Sequence, residues 1–98
     1  MELIRKYLIE EKKMPAVVVD RTIAKLERHP DIADELKGWI ANRTYESSDP
    51  VSVEGYTGAD IVKLAPFMDG VGVFTFLVSL REQPDKAKEQ IAAGFPRK

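Results

Sequence analysis

The run Val71-Gly72-Val73-Phe74-Thr75-Phe76-Leu77-Val78-Ser79-Leu80 constrains this chain more than any other feature of it. A segment apolar on nearly every side has to be covered all round, and only 98 residues are present to cover it. It has about half of the roughly 20 residues that cross a bilayer, so the expectation is a buried core element and no membrane contact. A chain of this length buries about 60 to 65% of its unfolded surface, enough for one core and not for two. The conformation of this one segment therefore decides the fold class. Its β-branched and aromatic residues favour a strand. Against that, Asp69 is placed to cap a helix, Leu80-Arg81-Glu82-Gln83 ends as a helix ends, and no partner strand longer than Val51 to Tyr56 is on offer. The reading is a central helix.

Amphipathic helices supply the cover. Leu3, Ile4, Tyr7 and Leu8 repeat at helical spacing and predict a first helix over residues 2 to 13. Pro15 suits the first turn of a second, in which Val19, Ile23 and Leu26 line one face through to Arg28, with Val17 nearly opposite that stripe. His29-Pro30-Asp31 repeats the same start signal for a third helix, to about Asn42, with Ile32, Leu36, Trp39 and Ile40 inward and Asp34, Glu35 and Lys37 toward water. From Arg43 to Tyr56 the composition turns to Ser, Asp, Pro and Gly, a loop with room for one short β element near residues 51 to 56. Thr57 and Asp60 form a capping box for a helix that Pro66 stops, and Pro84-Asp85 opens a last helix with Ala87 and Ile91 inward and Gly94 as terminator. The expected architecture is all-α. It is one domain over residues 1 to 98, with five or six helices: a three-helix half (1 to 43), a loop (44 to 56), then a helical pair and a terminal helix (57 to 98).

Several chemistries drop out. There is no cysteine, which removes disulfides, thiolate metal sites and a thiol nucleophile, and fits a reducing cytoplasm. The N-terminal Met1-Glu2-Leu3-Ile4-Arg5-Lys6 lacks the unbroken apolar centre of a secretory signal, so a cytoplasmic location is expected. The single histidine, His29, stands between two helix signals and before proline, where a junction role fits better than general-base or metal-ligand work with Glu27 or Asp31. Gly70-Val71-Gly72 has neither the preceding strand nor the Lys-Ser/Thr of a phosphate loop, and Asp69 would repel an anion; close helix packing or a tight turn is the simpler use. The expectation is no catalytic set, no cofactor and no metal.

The order Tyr56-Thr57-Gly58-Ala59-Asp60-Ile61-Val62-Lys63-Leu64-Ala65, a turn, then Val71 to Leu80 resembles the helix-turn-helix unit of small bacterial regulators, over about a quarter of the chain. Its turn is longer and contains proline, and Gly72 stands where a helix former is usual. The surrounding order resembles small uncharacterised bacterial proteins. The resemblance implies a second helix entering the major groove, with dimerisation gathering Lys63, Arg81, Lys86 and Lys88 against nucleic acid. Charge argues the other way. Net charge is -1, and between Glu46 and Leu80 the residues Glu46, Asp49, Glu54, Asp60 and Asp69 face Lys63 alone.

The leading expectation is therefore a non-catalytic protein-interaction module, with a DNA-binding transcriptional regulator as the rival. The candidate partner surface is the loop from Tyr45 to Tyr56 with Val17 and Phe67, where Glu46, Asp49 and Glu54 favour a basic partner. Of the aromatic set Trp39, Phe67, Phe74, Phe76 and Phe95, the turn contexts of Phe67 and Phe95 make those two the expected exposed rings. Tyr45 and Tyr56 flank the acidic loop and can close it.

Overall fold

The computed structural model describes residues 1 to 95 as six α-helices around one core. They are α1 (Glu2–Lys6), α2 (Ala16–Glu27), α3 (Pro30–Asn42), α4 (Gly58–Leu64), α5 (Gly70–Glu82) and α6 (Pro84–Ala92). Among the described residues there is no β-strand. The β element expected near residues 51 to 56 is a single antiparallel bridge between Val53 and Tyr56. Its two backbone bonds, 2.8 and 2.9 Å, close over Glu54 and Gly55, both left-handed at φ 53° and 85°. Mirror-image turns of this kind need positive φ at both central residues.

Helix α5 is the centre, as its composition requires. Val71, Val73, Phe74, Phe76, Leu77, Val78 and Leu80 are all buried, and α2, α3, α4 and α6 pack around it. Asp69 caps it, with Oδ1 accepting from the Gly72 N–H at 3.0 Å. The α4 capping box also forms: the Thr57 hydroxyl accepts from the Asp60 N–H, and Asp60 Oδ2 accepts from the Thr57 N–H at 3.0 Å. Each large side chain sealed in this way contributes about 2 kcal/mol, which is why one apolar helix can organise so short a chain.

Two local expectations need correction. The first helix does not run regularly to residue 13. After Lys6 it widens into a π-helical turn, Tyr7–Glu11, closed by the Lys12 N–H to the Tyr7 carbonyl at 3.1 Å, and Lys13 turns left-handed at φ 55°. The wider turn carries both Tyr7 and Leu8 into the core, and Tyr7 Oη donates to Asp69 Oδ2 at 3.0 Å. Phe95, expected to be partly exposed, is buried against Phe76 in an edge-on contact with centroids 4.8 Å apart. Left-handed backbone at Gly94 and Phe95 turns the ring back onto Phe76, a tertiary event with no local sequence signal.

Candidate functional site

The polar face of α3 and the loop that follows it form the most distinctive surface. Helix α3 ends because Arg43 adopts the left-handed conformation, φ 57° and ψ 37°, which turns the chain back along the helix. Arg43 is held there by four partners. Its guanidinium lies 5.0 Å from the ring centroids of Tyr7 and Trp39, Glu11 takes Nη2 at 2.8 and 2.9 Å, and Nε donates to the Ile40 carbonyl at 3.1 Å. Cation–π stacking of this kind suits arginine, whose charge is spread over a plane. Downstream, Thr44 Oγ1 accepts from the Glu46 N–H and Ser47 Oγ from the Asp49 N–H, bending the loop by side-chain bonds two residues apart.

The loop is then fastened to the helix. The Val51 N–H donates to Glu35 Oε1 at 2.7 Å, and Glu35 Oε2 is buried with no hydrogen-bond partner. Glu35 was expected to face water; it is half-buried because the loop folds over it. Two open grooves flank this crossing. One, about 460 Å³, is lined by Asp31, Asp34, Glu35, Asp49 and Pro50 among others. The second, about 230 Å³, shares Asp34, Glu35 and Ser47 with it and continues to Tyr45, Glu46 and the edge of Trp39.

Five carboxylates thus meet on one surface from two chain segments. Asp31 is chelated by Arg81 at 2.9 and 2.8 Å, and this pairing pulls its carboxyl down to about 2. Asp34 has only a loose pair with Lys37 at 3.6 Å. Glu46 and Asp49 are exposed and form no ion pair among the described residues. Among the described residues no three His, Asp or Glu side chains are arranged to hold a metal ion.

Of the residues expected at a partner surface, Tyr45, Glu46 and Asp49 line these grooves, whereas Val17, Glu54 and Phe67 do not. Tyr45 offers little ring face. It lies between Trp39 and Phe74, centroids 5.9 and 6.0 Å away, and burial pushes its hydroxyl up to about 12. Glu54 is tied to Lys88 at 2.7 Å. Val17 is 60% exposed on α2, and Phe67 is 48% exposed in the turn before α5. Asp31, Asp34 and Glu35 were not among the residues expected at a partner surface, although their i, i+3, i+4 spacing just upstream of an acidic loop was the available signal.

The basic residues grouped by the helix-turn-helix resemblance are differently placed. Arg81 is held by Asp31 and Lys88 by Glu54, while Lys63 and Lys86 are exposed. His29 is a junction residue: Nε2 lies 2.7 Å from Glu82, which also chelates Arg28, and Nδ1 lies 3.3 Å from Arg81 Nη1. Among the described residues no helix is long and apolar enough to cross a membrane. No protein-family model, curated protein or solved structure matches the chain.

Proposed function

We propose that this protein is a non-catalytic interaction module that takes a Lys- or Arg-rich segment of a partner protein along the paired grooves between α3 and the 44–51 loop. The observation that carries this reading is the convergence of Asp31, Asp34, Glu35, Glu46 and Asp49 along two adjoining grooves that share Asp34 and Glu35. Glu46 and Asp49 remain open to a cation, Lys37 and Arg81 pair with Asp34 and Asp31, and Glu35 is held by the Val51 N–H. A field of this sign speeds encounter with a basic partner and rejects acidic ones. A cysteine-free chain suits such work in a reducing cytoplasm.

The DNA-binding alternative has less support. The helix that would read bases, α5, is enclosed by four other helices, and Arg81 and Lys88 are already paired. A groove-reading helix needs free donors on an open face.

Fluorescence anisotropy tests the proposal with a labelled Arg/Lys-rich peptide, an acidic control peptide and a labelled DNA duplex. The basic peptide is expected to bind, to weaken as salt rises from about 50 to about 500 mM, and to lose about tenfold or more in affinity to the D34K/D49K variant. Equal binding by wild type and variant, or tighter binding of DNA than of the basic peptide, overturns it.

A further inference from the structure

Helices α5 and α6 meet at a corner with one residue between them. Gln83 sits at φ -138° and ψ 67°, outside the helical region, as the residue before a proline is driven to do. Its N–H still donates to the Ser79 carbonyl at 2.7 Å, and its own carbonyl accepts from the Ala87 N–H at 3.0 Å. The last bond of one helix and the first of the next thus share this residue. A change of torsion at Gln83 alone separates the corner from an unbroken helix running from Gly70 to Ala92.

What α6 gives to the fold is a short stripe. Ala87 is buried, Ile91 half-buried and Phe95 buried on Phe76, at positions i, i+4 and i+8. Its main neighbour is α5, and the Lys88–Glu54 pair ties it to the Val53–Tyr56 turn. Phe95 holds φ 52°, a conformation that bulky residues avoid unless their surroundings impose it. Were α5 to run straight on, the stripe would project away from the molecule and Phe76 would lose its cover. The surface shaped to receive Ala87, Ile91 and Phe95, with an acidic partner in reach of Lys88, would then be the vacated seat on a second copy of the chain. Such an exchange would be reciprocal and would close as a two-fold dimer.

We propose that Pro84 is the gate that holds α6 on its own α5 and keeps the chain from exchanging this helix with a second copy. Proline opposes the straight form twice. It has no N–H for the Leu80 carbonyl, and its ring collides with that carbonyl in a continuous helix. A proline inside a helix shifts the equilibrium by about a hundredfold or more, and the exchanged dimer would contain two such positions. Connections as short as this one are otherwise where exchange is favoured.

The substitutions P84A and P84G separate the gate from simple loss of proline. P84A permits the continuous helix, whereas P84G removes the ring but disfavours helix. By sedimentation equilibrium P84A is expected to dimerise about a hundredfold or more tightly than wild type, and P84G to fall between the two, because glycine disfavours helix less than proline and more than alanine. The natural chain has no cysteine, so E54C/K88C with a flexible bismaleimide reports the location of α6 directly. The link should fall between copies in the P84A background and within one chain otherwise. A folded P84A that stays monomeric overturns the proposal, as does a dimer whose link remains within one chain. P84Q carries the same expectation and replaces P84A if that variant does not fold.

Discussion

At the scale of single residues, Gly70 is the glycine with the least room for a side chain. Gly70 opens α5 directly against the Trp39 indole, and a methyl built there collides with the ring atoms. Gly38, one residue before that tryptophan, has nothing within 4 Å of the same built methyl. The two therefore answer oppositely to alanine. G70A is expected to cost about 1 to 3 kcal/mol by forcing Trp39 off its seat. G38A should gain about 0.5 to 1 kcal/mol by relieving a glycine inside a helix. Chemical denaturation of the two variants checks both signs. The sequence allowed close packing as the use of Gly70, but Trp39 lies 31 positions upstream and nothing local identifies it as the partner.

At the scale of elements, the junction of α2 and α3 is clamped to the end of α5 by charge. Glu82 takes Arg28 through Nε at 2.9 Å and Nη2 at 3.1 Å, and also His29; Arg81 takes Asp31. Arg28, and then His29, pull the Glu82 carboxyl from its ordinary 4.5 to about 2; Arg81 does the same for Asp31 from 3.8. Both values are lower in the fold than in the unfolded chain. The clamp's contribution is therefore complete above about pH 4.5 and is lost as pH falls through 4.5 toward about 2. These groups are exposed, so the effect is modest and salt-sensitive. The D31N/E82Q variant is expected to be less stable near pH 6 and to lose less stability on acidification than wild type. Urea midpoints across that range test it; parallel curves would contradict it. The helices that carry this clamp were legible because proline, capping residues and helical spacing are local signals. The π-helical turn at Tyr7 was not, because it answers to Asp69 far along the chain.

At the scale of the whole molecule, one apolar helix decides which surfaces are left for recognition. With α5 consumed by the core, the outward faces are the polar sides of the covering helices and the loop that crosses α3. Glu46 and Asp49 were visible in the sequence as an acidic loop, but their meeting with Asp31, Asp34 and Glu35 depends on the left-handed turn at Arg43 and on the Glu35–Val51 bond. Neither is written in local periodicity. Phe95 shows the same limit, since the left-handed backbone at Gly94 and Phe95 lays the ring on Phe76, far back along the chain. The measurement that bears most directly on the central claim is a titration of the ¹⁵N-labelled protein with an Arg/Lys-rich peptide, followed through its backbone amide resonances. The account predicts perturbations concentrated at residues 31–35 and 44–51; perturbations absent there, or concentrated around Lys63 and Lys86, would contradict it.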